Sequence, residues 1–184
     1  AGDSNAAFDE GVKAAALSHS DPVGYYAAGG LAAMISCLAY GLTLPKALER
    51  AETLLGKVHK TDPILSLLGA AEEQANNHPA GKTGTWDHID SIASLGSGEN
   101  AEEALAIAVY CTLAIDEPLD ALIISANHSG KSNTTAAITG ALEGVRFGRS
   151  FIPSYWSDIL ECSEPLAFMA DKLYYVYEKY HPMK

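Results

Sequence analysis

The stretch NHSGKSNTTAAITGALEG, residues 127–144, passes from small polar residues into a helical pattern. A helix opening near Thr134 leaves its first backbone N–H groups without partners, and Ser132, Asn133 and Thr134 are all side chains of the capping type. Further along, Ala136, Gly140, Gly144 and Gly148 recur every four residues. They form a ridge without side chains where a second helix can approach closely, at about 1 kcal/mol for each glycine relative to alanine. Physical reasoning alone makes the stretch a capped helix in a crowded bundle.

The same periodicity runs outward through the chain. Apolar residues recur at helical spacing in AFDEGVKAAALSH, YYAAGGLAAMISCLAYG, LPKALERAETLLGKV and ENAEEALAIAVYCTLAI, and no alternating pattern competes with them. The punctuation agrees. Asp21 and Pro22 make an N-cap and first-turn pair, Gly41 suits a helix end, and Pro45 suits the next helix start. Glu102 and Glu103 fall in the first turn of a helix beginning near Asn100, where acids complement the dipole. The stretch from Asn76 to Gly84 is the one polar, turn-rich gap. A helix follows Pro153, and PLAFMADKLYYVYEKY closes the chain as an amphipathic helix whose Tyr174, Tyr175 and Tyr177 suit docking on the bundle. These signals predict an all-α fold of about eight to ten helices, organised as one domain over residues 1–184.

Composition narrows the function. With 184 residues, 48% of them hydrophobic, the chain can bury a core. A net charge of −11, from 23 acidic and 12 basic residues, excludes broad contact with a nucleic-acid backbone. Cys37, Cys111 and Cys162 are far apart and lie in apolar patterns, so they read as buried thiols in a reducing compartment. The start has no signal-peptide pattern, and no apolar run approaches the roughly 20 residues of a bilayer span. The expectation is a cytoplasmic chain with no membrane contact.

Three segments carry a resemblance. AALSHSDPVGYYAAGGLAAMI, residues 15–35, resembles an ALTHGDP stretch and the small-residue helix after it. LGSGENAEEALAIAVYC, residues 95–111, is similar to GxGWxAEEALAIALYC, with Glu99 in place of the usual Trp. The stretch from Ser125 to Trp156 resembles AVNHGGDSDSTGAITGALLGAxYG…IPxxW. Together they resemble the C-terminal half of the ADP-ribosylglycohydrolase family, whose members are all-α, magnesium-dependent enzymes that remove ADP-ribose from modified acceptors. The resemblance implies that fold, without the family's N-terminal half, and ADP-ribose or an ADP-ribosylated protein as partner.

It also implies where the site lies. The family's G-D-x-D-[ST] element offers two aspartates and a hydroxyl to divalent cations, hard oxygen ligands of the kind magnesium takes. Here those positions are Lys131 and Asn133, with Thr134 keeping the hydroxyl. An ammonium about 4 Å from a divalent ion, at an effective dielectric near 20, meets roughly 8 kcal/mol of repulsion. Asn133 and Thr134 are thus what is left of a metal site, and the expectation is that no magnesium binds. The family's other acidic ligands, in a DDT-like element, lie in its N-terminal half. The pairs Glu72 with Glu73 and Glu102 with Glu103 read as solvated helix faces, and Asp87 with Asp90 has no family context.

His19 matches a family histidine near the bound ADP-ribose; it also suits a capping or buried role at a helix junction. Lys131, beside a helix N-terminus, suits holding a phosphate or carboxylate, or simple exposure in a loop. Asn127 and His128 match the family's NH pair and are expected to organise the loop, and Tyr155 and Trp156 are expected to pack. Ser129 lacks the nucleophile-elbow pattern, and Cys111 sits within a helix. Two functions remain. One is a family-derived chain, a fragment or pseudoenzyme, with little catalysis of its own. The other is a non-enzymatic module that binds ADP-ribose or a protein, as an oligomer or with a complementary chain.

Overall fold

The computed structural model of the chain describes residues 3–78 and 88–180. Among the described residues there are ten helices and no strand: α1 (Ser4–Ala16), α2 (Pro22–Ala39), α3 (Leu44–Leu55), α4 (Asp62–Asn77), α5 (Ile89–Leu95), α6 (Ala101–Ala114), α7 (Pro118–Ser125), α8 (Ser132–Phe147), α9 (Ser154–Ile159) and α10 (Ser163–Tyr180). They gather into two compact units, Ala1–Gly148 and Arg149–Lys184, a division within what the sequence reads as one domain. The gap expected from Asn76 begins later, because α4 continues through Asn77. The rest of that gap, and Asp87, lie outside the described residues.

The first unit is built around α6. Every residue from Ala104 to Thr112 is buried, which a helix apolar around its whole circumference requires. Helices α2, α4, α5, α7 and α8 pack around it. Helix α2 is covered in turn by α1, α3, α4, α6 and α8. It has 18 residues and is, by length and composition alone, apolar enough to cross a membrane. The sequence reading allowed no such segment. A helix covered on several sides within a protein has that composition for the same reason as one in lipid. Helix α3 has a single apolar face: Leu44, Ala47, Leu48, Ala51, Leu54 and Leu55 are buried at helical spacing.

Close packing falls elsewhere than the α8 ridge. A Cβ built on Gly144 meets nothing within 4 Å, and one on Gly140 only Leu122 at 3.5 Å. Gly148 ends the helix instead of extending the ridge, at φ 71°. The tight contact lies between α1 and α2, where a Cβ on Gly11 comes within 2.7 Å of Ala32 Cβ and one on Gly29 within 2.6 Å of Val12 Cγ2. Helix α8 buries Thr135, Thr139, Leu142 and Glu143.

Two polar clusters lie within this unit. His88 Nδ1 is 2.8 Å from the Tyr110 hydroxyl, and Ser91 Oγ lies between His78 Nε2 at 3.0 Å and Gln74 Oε1 at 3.1 Å. The other is Glu143, fully buried, whose carboxylate accepts from Arg146 Nη1 at 2.9 and 3.0 Å. Burial raises the Glu143 pKa to about 7 despite the guanidinium. Cys37 and Cys111 are buried as expected, but Cys162 is exposed and adopts φ 62° just before α10. The apolar pattern around Cys162 belongs to helices on either side of a turn, so it carried no burial signal.

In the second unit Tyr155 is exposed, where packing was expected. Along α10, Leu166, Phe168, Met169, Leu173, Tyr174, Tyr175 and Val176 are exposed too.

Removing Arg146 leaves a carboxylate buried without its cation. Arg146→Ala is expected to cost about 3–5 kcal/mol at pH 8 and less at pH 5. A carboxyl whose folded pKa lies above its unfolded value loses stability as pH rises through the window from 4.5 to about 7. Urea unfolding of both proteins from pH 5 to pH 9 checks this, since the difference should open as pH rises past about 7, where the wild-type carboxyl ionises beside Arg146 and the variant's has no cation; a difference that does not grow there contradicts it.

Candidate functional site

The three motif segments meet in one cavity of about 460 Å³ at the N-terminal ends of α2, α6 and α8. His19 and Asp21 contribute from the α1–α2 junction, Glu99 and Glu102 from the start of α6, and Lys131, Asn133 and Thr134 from the start of α8. All four residues singled out from the sequence, His19, Lys131, Asn133 and Thr134, therefore line one space. A narrower apolar pocket of about 190 Å³ shares His19, Gly24 and Thr134 and continues along Leu31, Leu105 and Ile138. A larger groove of about 550 Å³ lies between the α2–α3 turn and the end of α8. It holds none of the four, and the charged side chain in its lining, Arg146, is engaged by Glu143.

Backbone contact between two loops fixes the cavity's shape. Lys131 N–H donates to the Ser97 carbonyl at 2.8 Å, and a Cβ on Gly130 would run into that same carbonyl. Only glycine permits this approach. The loop from Ser97 to Asn100 is held by Glu103, whose Oε2 accepts from Ser97 N at 3.1 Å, Ser97 Oγ at 3.2 Å and Gly98 N at 3.0 Å, while Oε1 accepts from Asn100 Nδ2 at 3.2 Å. Partial burial opposes ionisation of this carboxyl, yet the hydrogen bonds from Asn100, Ser97 and Gly98 outweigh it and lower its pKa. Glu103 is thus a loop clamp, not the solvated side chain expected. The spacing Asn100-x-x-Glu103 is a capping-box pattern that signals such a reach back from the first turn.

His128 organises the second loop as expected. Its Nδ1 accepts from Gly130 N–H at 3.1 Å, its Nε2 lies 2.8 Å from Thr135 Oγ1, and that hydroxyl donates to the Ser125 carbonyl at 2.7 Å. These partners select the neutral ring protonated on Nε2, and burial lowers the His128 pKa in the same sense. Asn127 Nδ2 donates to the Ile123 carbonyl at 2.6 Å. The α8 start differs in detail from the reading: Lys131 is the N-cap residue, and Ser132, Asn133 and Thr134 form the first turn without a side-chain cap bond. The Lys131 carbonyl accepts from Thr134 N and Thr135 N instead.

Comparison with known proteins gives the family. The family model described as ADP-ribosylglycohydrolase matches residues 1–182. The chain belongs to the ADP-ribosylglycohydrolase family. ADP-ribosylhydrolase ARH3 of Bos taurus is 27% identical over 90% of this chain and 51% of its own length. ARH3 of Mus musculus is 26% identical over 90% and 50% respectively. ADP-ribosylarginine hydrolase Tri1 of Serratia proteamaculans is 34% identical over 47% of this chain and 23% of its own. The chain spans about half the length of the ARH3 relatives it matches across most of its own. No solved structure matches it.

The two positions where the resemblance implies carboxylate ligands hold Lys131 and Asn133, an ammonium and an amide, which do not fit a magnesium ion as carboxylates do, and Lys131 Nζ lies 3.6 Å from Glu99 Oε2. Among the described residues no three His, Cys, Asp or Glu side chains are placed to hold a metal ion. Asp21 Oδ1 accepts from Val23 N at 3.1 Å as the cap of α2. His19 is exposed, with Nδ1 2.9 Å from Ser18 Oγ and 3.3 Å from the Ala15 carbonyl. A proton on Nδ1 serves that carbonyl and leaves Nε2 free of both contacts. The sequence reading missed Glu99 as the partner of Lys131, and Gly130, Thr135 and Glu103 as the frame around it.

Two substitutions test the frame. Gly130→Ala is expected to cost about 1–3 kcal/mol through overpacking, read by thermal unfolding, whereas the same change at Gly144 should cost nothing. Glu103→Gln should speed amide exchange at Ser97 and Gly98. A lowered carboxyl pKa gives stability that is present above the unfolded value near 4.5 and lost as pH falls through the folded value. The gap between wild type and Glu103→Gln should therefore narrow as acid is added.

Proposed function

We propose that this chain recognises ADP-ribose in the cavity at the start of α6 and α8, without magnesium, and does not hydrolyse it on its own. One observation carries the reading: the three family segments supply His19, Lys131, Asn133 and Thr134 to one cavity, while the positions that serve a metal in the family hold an ammonium and an amide. The relatives' names supply the ligand class, since ARH3 and Tri1 are named for ADP-ribosyl hydrolysis. Lys131 offers the diphosphate a fixed positive charge beside the positive end of the α8 dipole. His19 Nε2 offers a hydrogen bond in the same cavity, and the apolar pocket along Leu31, Leu105 and Ile138 offers an apolar surface to a nucleobase. A hydrolase also needs an activated water. In this cavity Asp21 caps a helix and Glu99 faces Lys131, Glu103 behind it is bonded to the loop, and Glu102 is left as a single acid of the lining.

Calorimetric titration with ADP-ribose, once with magnesium and once with a chelator, tests this. The expected outcome is the same Kd in both, with no release of ADP-ribose from an ADP-ribosylated arginine substrate. Binding that appears only with magnesium, or metal-stimulated turnover, overturns it.

A further inference from the structure

Among the described residues, Lys131 is the one Lys or Arg in the lining of the 460 Å³ cavity, and it shares that lining with Asp21, Glu99 and Glu102. Formal charge there is negative, so Lys131 is the side-chain cation that an anionic ligand can draw on. Yet Lys131 Nζ faces Glu99 Oε2 at 3.6 Å. We propose that Glu99 sets the ligand response of this cavity: its carboxylate occupies Lys131 in the resting protein, and a phosphate group binds by displacing it. The inference rests on the reading that ADP-ribose is the ligand.

Geometry favours displacement over a permanent bridge. At 3.6 Å the pair is a charge contact outside hydrogen-bond range, and both side chains are half exposed, at 50% for Lys131 and 61% for Glu99. Such pairs contribute about 0–1 kcal/mol, whereas an ammonium on a phosphate makes shorter, charge-assisted hydrogen bonds. The backbones beneath cannot drift apart, because Lys131 N–H is bonded to the Ser97 carbonyl and Glu99 N–H lies 3.3 Å from Ser97 Oγ. Only the two side chains need move, and Glu99 can swing to solvent while Lys131 stays over the cavity.

A double-mutant cycle read by calorimetry with ADP-ribose tests this, using wild type, Glu99→Gln, Lys131→Ala and the double variant, each checked for helicity. Glu99→Gln should bind about three- to fivefold tighter, the scale of an exposed pair, and the gain should vanish in the Lys131→Ala background. Equal affinity of Glu99→Gln and wild type overturns the displacement and leaves the ADP-ribose reading standing. A gain that survives without Lys131 also overturns it, since Glu99 then acts by general repulsion. No binding by wild type or by Glu99→Gln overturns both.

Discussion

A helix that is apolar around its whole circumference must be covered on every side, and α6 imposes that condition on this protein. Ala104 to Thr112 offer no polar face, so α2, α4, α5, α7 and α8 arrange themselves around it. One end of such a helix must still emerge. Its N-terminal turn, with Glu102 and Glu103, comes out between the starts of α2 and α8, and the cavity is the space left between these three ends. The site is thus a consequence of how the core is closed, and its polar residues are those that the first turns bring to the opening.

The helical architecture was legible because the apolar period of 3.6 and the caps agree across most of the chain. Asp21 caps α2, Pro22 opens it and Pro153 precedes α9 as their residue types predict. Spacing misled where it stood for packing. The four-residue repeat of small residues on α8 implied a crowded ridge, but Gly144 faces open space. A row of glycines tells where a helix can approach, and here the approach is made at Gly11 of α1 and Gly29 of α2 instead. Cys162 misled similarly, through a run of apolar neighbours interrupted by a turn.

For the site, position was legible and mutual arrangement was not. His19 and Lys131 are more than one hundred residues apart, and only motifs in a known order suggested that they share a cavity. Nothing local told that Ser97 would accept from Lys131 N–H, because such loop-to-loop bonds depend on tertiary closure. Glu103 is the intermediate case. Its place in the first turn of α6 was legible, but read only as an acid on a solvated face; its hydrogen bonds go back to Ser97 and Gly98, because the bend of the loop places those N–H groups within its reach.

The frame and the charges it carries answer to different constraints. Gly130, Glu103, His128 and Thr135 hold two loops together through backbone and buried hydrogen bonds, and none of them requires an ion in the cavity. A metal that binds only loosely cannot be what keeps such a frame folded, since its contribution falls with its occupancy. The cavity walls can therefore persist whether position 131 carries a carboxylate or an ammonium. What changes with that residue is the sign of charge at the mouth of α8, and a cation there raises the value of any nearby acid. Glu99, at the position where the family commonly has an aromatic residue, is within 3.6 Å of it. The two departures from the family's motifs thus meet each other in space, and each is intelligible as the other's electrostatic partner.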